Sequence, residues 1–450
     1  MARITRREGR RLTHGINPTP RESTMIRFAI IAPPLPSHFH PLEHLAMELI
    51  ERGHSVTFFH QSTARRLLRF PKVKFHAIGP ERTPARWFSK SPTQAASFGT
   101  WLGQRRIYAE MAWVTEMLCH ELPAALREDR IDAVLCDQME AAGGLVAESL
   151  GLPFVSIACA LPVNREDATI PLPVLPYPYE RGEDAVRRYA RAERRYDWIM
   201  KPLHKTIARQ SVALGLTTRK RLHQCLSPLA QISQTVLEFD FPRPNLPPWF
   251  HEVGPLRRVP DEANHLPYAL DNSRPFVVAT LGPLHGNRMN MFKRIARACK
   301  MLDAQLLVIH HDGLSHRQCA LLLRQGATWV TNSADQALLL QYADVLVTHG
   351  ELDIVLEAVV AETPILVLPI AADQPGVAAR VAYSGSGVHA SRHSSSRELE
   401  KHLRHVLENQ WPHLEQLADA IHVMGGTQRA ADIIEAVIPD RTKLRLVSGG

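Results

Sequence analysis

Two apolar rhythms alternate along the chain. Short saturated runs at 27–32, 55–59, 73–78, 133–136 and 154–157 have the length and composition of strands buried on both faces. Between them, 42–52 and 141–150 carry apolar residues at three- and four-residue spacing, and the first of these closes on Gly53, as a helix does. Strands alternating with helices predict a parallel sheet covered on both faces, so the fold class is α/β. From 241 to 275 the pattern lapses, and the proline density predicts a connection without regular elements. It then resumes with strands at 276–281, 305–309, 345–347 and 364–368, helices at 291–302 and 352–361, and terminal helices near 395–408, 411–424 and 427–437. Two doubly wound halves follow, 25–240 and 276–440, joined by a linker at 241–275, with a disordered basic leader at 1–24 and a tail at 441–450.

Length and composition fit that division. A chain of 450 residues, 45% apolar and 22% charged, has the make-up of a soluble protein with two ordinary domains. Half of the net charge of +8 comes from residues 1–24, where six Arg face two Glu. That leader has no apolar segment of the kind a secretory signal needs, and it reads as a disordered arm or as sequence upstream of a start at Met25. Six cysteines lie scattered without CxxC spacing, which predicts reduced core thiols in a cytoplasmic protein rather than disulfides or a zinc site. No uninterrupted apolar run reaches the roughly 18 residues of a membrane span. The insertion at 165–225 is less regular, and its part from 181 to 222 carries twelve Lys or Arg against four acidic residues, interleaved with Tyr189, Tyr196, Trp198, Ile199 and Met200. Such a stretch suits peripheral contact with an anionic inner membrane face, or is simply a solvated surface. No nucleic-acid-binding module accompanies it, which sets nucleic acid aside.

Chemistry concentrates where strands hand over to helices. The segment from 348 to 374, THGELDIVLEAVVAETPILVLPIAADQ, begins as a strand, turns at His349 and Gly350, and enters a helix whose free amides and dipole favour a diphosphate. Its second strand delivers Asp373 and Gln374 at a C-terminal end, where ligands collect in open α/β sheets and where a carboxylate beside an amide suits the hydroxyls of a hexose. The loop after the first strand, APPLPSHFHP, lacks a GxGxxG fingerprint but presents His38, with His40 as a nearby second candidate and His44 as helix surface. A positioned imidazole can accept the proton of an attacking hydroxyl, and a carboxylate on its far nitrogen fixes the tautomer. Asp137 ends another strand on the same side of the sheet.

These pieces, together with the loop TLGPLHGNR at 280–288, resemble the family 1 glycosyltransferases over most of residues 25–440. The resemblance implies the GT-B architecture, two Rossmann-like parallel-sheet domains facing across a cleft. It implies His38 as the base and Asp137 as its partner. On the donor side it implies Thr280, Gly282, His349, Gly350, Glu351, Asp353 and Ile354 near the nucleotide diphosphate, with Asp373 and Gln374 on the sugar. Transfer would be inverting, from a UDP-sugar such as UDP-glucose as co-substrate, with no cofactor and no catalytic metal. The acceptor would be a hydrophobic small molecule, for example a carotenoid such as zeaxanthin. Glu351, Asp353 and Ile354 stand where the family pattern has small neutral or hydroxyl-bearing residues, and Pro283 stands for a Thr or Ser. The two carboxylates either repel the diphosphate or cap the helix they precede. Trp329 is read as a base-stacking platform or as core. A binding protein with a degenerate donor loop, a nucleotide-sugar epimerase, and a transferase for a soluble aglycone remain as alternatives at this point.

Overall fold

A computed structural model describes residues 25–80, 101–166, 169–258 and 266–438. The leader, the tail and residues 259–265 of the linker lie outside the described residues. Two separate sheets, each wholly parallel, account for all the paired strands described.

The first sheet is built from β1 (Arg27–Ile31), β2 (Ser55–His60), β3 (Lys74–Ala77), β4 (Ala133–Asp137), β5 (Phe154–Ala158), β6 (Gln231–Ser233) and β7 (Phe250–Glu252), in spatial order β3-β2-β1-β4-β5-β6-β7. Alternation along β1 separates two cores. Phe28 and Ile30 pack with Leu42, Leu45 and Leu49 of the helix Pro36–Glu51, whereas Ala29 and Ile31 pack with Leu118, Leu122 and Leu145 on the other face. The second sheet comprises β8 (Phe276–Thr280), β9 (Gln305–Ile309), β10 (Trp329–Thr331), β11 (Val345–Thr348), β12 (Ile365–Val367) and β13 (Gly387–His389), in order β10-β9-β8-β11-β12-β13.

In each sheet the first strand sits beside one from later in the chain. β1 pairs with β4, Ile31 opposite Cys136, and β8 pairs with β11, Thr280 opposite Thr348. Connections leave these pairs in opposite directions, so a crevice opens beyond their C-terminal ends. The loops carrying His38 and Asp137 meet in one crevice, and the loops 281–288 and 349–351 meet in the other.

The three-residue strands β6, β10 and β13 were not read from the sequence, and three further features depart from that reading. The proline-rich linker contains β7, which pairs with β6. Prolines tolerate this because β7 is the edge of the sheet and Pro247 and Pro248 precede it. A long helix, Trp101–Glu128, escaped the periodicity because it is apolar on two sides: Leu118 and Leu122 face the core, while Ile107, Met111 and Val114 line a cavity. The last helix, Gly426–Val437, returns to the first lobe. There Ala430 and Ile434 pack beneath β1, and Arg52 reaches Asp432 at 2.7 Å and Glu435 at 2.8 Å. Among the described residues, no helix is long and apolar enough to cross a membrane.

Candidate active site

His38 lies in the first turn of the helix Pro36–Glu51, and Asp137 is the last residue of β4. Their crevice brings His38 Nδ1 to 2.8 Å from Asp137 Oδ2. The other carboxylate oxygen accepts the Met139 amide at 2.8 Å, which fixes the plane of the group. Asp137 is 1% exposed and His38 8%. Burial by itself would lower the His38 pKa, but Asp137, with Asp373 and Asp353 further off, outweighs it and raises the value to about 8. An imidazole tied through Nδ1 keeps Nε2 for a substrate proton.

Cys159 lies close enough for its sulfur to share a 4.8 Å cluster with His38 and Asp137. Burial, then the Asp137 charge, pushes its thiol well above its ordinary value. A protonated thiol beside an already paired imidazole and carboxylate has the chemistry of a hydrogen-bonded set rather than of a ligand set.

On the facing lobe, the loops after β8 and β11 press together. Gly282 has φ +67°, and a Cβ there would meet the His349 ring at 2.8 Å and Glu351 Oε2 at 3.0 Å, so only glycine fits. Glu351 occupies the N-cap position of the helix Leu352–Val360 but makes no cap hydrogen bond. Its Oε2 instead meets His349 Nε2 at 3.3 Å. Burial would raise the Glu351 pKa, but His349, His285 and Ser37 together hold it down to about 2. Asp353 accepts a hydrogen bond from Gln234 of the first lobe at 2.9 Å, and burial, then the Glu351 charge, raises its pKa to about 8. Neither carboxylate caps the helix, and the two environments push their pKa values apart, leaving about one negative charge on the pair at neutral pH.

Glu351, Asp353, Asp373 and Gln374 line an inter-lobe cleft together with His38. The remaining donor-side candidates do not line it. Ile354 belongs to the core of the second lobe. Thr280 is 1% exposed, and its hydroxyl accepts the Gly282 amide at 3.3 Å within its own loop. His349 is 1% exposed and Gly350 is buried, the latter at φ +92° against Val367. Gln374 uses its side-chain oxygen to accept the amides of Ile370 and Ala371 at 2.9 and 2.8 Å, so it shapes the turn and has only its NH₂ left for a ligand. Trp329 packs against Tyr268 and Phe276, which is the core reading. His44 is more than helix surface: Nδ1 accepts the Arg258 amide at 2.8 Å and Nε2 lies 2.8 Å from Arg69.

A second, more apolar cavity adjoins the cleft and shares His38 and Asp373 with it. Ile107, Met111, Val114, Leu161 and Met200 are among its walls. The hydroxyls of Tyr108 and Tyr196 touch where both spaces are lined. The insertion adds Leu172, Val174 and Met200 to this wall, with Tyr196 and His204 from its two helices, Glu183–Ile199 and Lys201–Ala213. Its apolar residues are largely spent inward, with Tyr189, Ile199 and Met200 buried and Trp198 left 48% exposed. Arg188, Arg191 and Arg195 line the cleft rather than an outer face. Residues of the 101–128 helix could not be found by motif, because their part in the site comes from tertiary packing alone.

Known proteins agree with this architecture. The sequence model of the family described as "UDP-glucoronosyl and UDP-glucosyl transferase" matches residues 30–416. The zeaxanthin glucosyltransferase of Pantoea ananas is 44% identical over 422 residues, covering 92% of this chain and 96% of that protein. That of Pseudescherichia vulneris is 43% identical over 419 residues, covering 92% and 98%. Among solved structures, the glycotransferase of kitacinnamycin aligns with a TM-score of 0.71 at 18% identity, covering 93% of this chain and 100% of that one, and so shares the fold. Matching most of its length to the family and two-fifths of its residues to two of the relatives, the chain belongs to the UDP-glucuronosyl and UDP-glucosyl transferase family.

Proposed function

We propose that the chain transfers glucose from UDP-glucose to a hydroxyl of a hydrophobic acceptor of the carotenoid class, with zeaxanthin the first candidate. The observation that carries this reading is His38, paired to Asp137, at the junction between an apolar cavity and a polar inter-lobe cleft. The two relatives at 43–44% identity support the choice of sugar and acceptor.

In the proposed reaction the acceptor lies in the apolar cavity with its hydroxyl at His38 Nε2. Nε2 takes the proton as the oxygen attacks the anomeric carbon, and Asp137 stabilises the resulting imidazolium. Asp373, near enough to influence His38 electrostatically, is suited to hold sugar hydroxyls. UDP leaves from the opposite face of the ring, so the configuration inverts in one displacement, without a covalent intermediate or a cofactor. Glu351 keeps a negative charge beside His349 and reduces what the donor loop offers the diphosphate. Peripheral contact with a membrane through 181–222, where the acceptor would be dissolved, is part of the same proposal.

The test is a screen of UDP-glucose, UDP-galactose and UDP-glucuronic acid against zeaxanthin and a water-soluble phenolic aglycone, with products weighed by mass spectrometry. A hexosylated carotenoid from UDP-glucose is expected. Transfer confined to the soluble aglycone, or none with any donor, would reject the assignment.

A further inference from the structure

The two walls of the inter-lobe cleft differ in charge. The second lobe lines it with His285, Glu351, Asp353, Asp373 and Gln374 among others, and with no Lys or Arg among the described residues. Burial would raise the Glu351 pKa, but His349 holds it down to about 2, and burial lowers that of His285 to about 3. The second-lobe wall thus carries negative charge and a neutral imidazole at working pH. Arg288 of the donor loop acts on His285 but does not line the cleft. The cations that do line it are Arg188, Arg191 and Arg195, all on the helix Glu183–Ile199 of the first lobe.

Helical spacing brings them to one face. Ala192, Tyr196 and Ile199 line the cleft with them, at the three- and four-residue intervals of a single stripe. Arg188 is already engaged: it donates to Glu180 at 2.6 Å and lies over the Tyr177 ring. Arg191 and Arg195 are exposed to the cleft and form no hydrogen bond or ion pair among the described residues. Like charges four residues apart destabilise a helix, so an anion held between them removes a standing cost. Burial, then Tyr108 and Asp373, push the Tyr196 phenol well above its ordinary value. This part of the helix therefore stands within electrostatic reach of the residue proposed to hold the sugar.

We infer that Arg191 and Arg195 form an anion clamp for the donor: from the first lobe, their guanidiniums donate hydrogen bonds to the diphosphate oxygens of the nucleotide sugar. The ligand class is a nucleoside diphosphate. Guanidinium forks match phosphate oxygens, and the clamp supplies the positive charge that the opposite wall, with Glu351, lacks. Negative charge grows on the diphosphate as the anomeric bond breaks, so the same contacts strengthen towards the transition state. This inference rests on the nucleotide-sugar reading of the cleft.

The experiment titrates the purified full chain with UDP by calorimetry and with uridine by NMR. It compares wild-type protein, Arg191→Gln combined with Arg195→Gln, and Arg194→Gln. Arg194 is exposed on the same helix but does not line the cleft. The double variant is expected to bind UDP about tenfold more weakly, with uridine binding unchanged, and Arg194→Gln should match the wild type. Added salt should weaken UDP binding to the wild type more than to the double variant. Equal UDP affinity in wild type and double variant overturns the inference. So does an equal loss in Arg194→Gln, the mark of a general field, or a parallel loss of uridine, the mark of a structural role. Arginine-dependent UDP binding without transfer to zeaxanthin would count against the proposed acceptor and leave the clamp standing. A wild-type chain that binds no UDP would remove both the nucleotide-sugar reading and the clamp.

Discussion

At the residue scale the account turns on one proton. His38→Ala is expected to lower transfer by about 10²–10⁴-fold, the usual worth of a positioned general base, while UDP-glucose binding measured by calorimetry changes little. Because the base works in its neutral form and its pKa is raised to about 8, kcat/KM should climb between pH 7 and 9. In Asp137→Asn the inflection should move to lower pH and the plateau should fall. A profile flat through this range would contradict the role given to the ring. The sign for stability is opposite: the pair stabilises the fold fully below the unfolded value of about 6.5 and loses that contribution as pH rises through about 8. On the donor side, Glu351→Gly combined with Asp353→Asn should tighten UDP-glucose binding by roughly fivefold to tenfold, a gain on the order of 1 kcal/mol, read by titration calorimetry. Unchanged affinity would mean that the carboxylates point away from bound donor. His38 and Asp137 were legible in the sequence because one follows and the other ends a strand of the same sheet, in segments that resemble those of the family 1 glycosyltransferases. The ion pair of Glu351 with His349, and the use of Gln374 to close its own turn, depend on side-chain directions that no spacing rule supplies.

At the scale of elements, nine of the thirteen described strands were read to within a residue at each end because saturated apolar runs carry a strong pattern, whereas β6, β7, β10 and β13, three residues each, were not read. Elements serving two masters were harder. The helix Trp101–Glu128 divides its apolar residues between core and cavity, and β7 survives among prolines only because it has a single neighbour. In the insertion the same ambiguity changes the functional reading. A sequence rich in arginine and aromatics suggested a membrane face, yet Tyr189, Ile199 and Met200 are buried, Tyr196 and Met200 line the cavity, and Trp198 lies under the Arg105 guanidinium, 4.8 Å from the ring centroid. If the helices still dock on membranes, sedimentation with vesicles containing anionic lipid should fall steeply with salt and drop further in Trp198→Ala. Equal sedimentation with neutral and anionic vesicles would remove the membrane role while leaving the cavity intact.

At the scale of the molecule, the lobes are coupled through a buried pair. Arg380 Nε donates to Asp240 Oδ1 at 2.5 Å, its guanidinium stacks on Phe241 at 4.2 Å, and it is 1% exposed. Without Arg380, Asp240 keeps only the Phe241 amide and a longer ion pair with Arg243 at 3.6 Å, so Arg380→Met should cost about 3 kcal/mol and lower the first thermal transition by roughly 10 °C, while Arg52→Ala at the part-buried contact with the last helix should cost less. Similar transitions for both variants would argue against coupling through Arg380. Two sheets were foreseeable from two runs of alternation, but the return of Gly426–Val437 to the first lobe was not, since an amphipathic helix does not say which lobe will cover it. The two lobes bring the His38 imidazole and the proposed sugar-binding Asp373 to one cleft, and the anomeric configuration of the product tests that arrangement most directly. From UDP-α-glucose and zeaxanthin, proton NMR of the isolated glucoside should show the β anomer, with product nearly absent in His38→Ala. An α-linked glucoside, or undiminished product from the variant, would contradict a single displacement driven by His38.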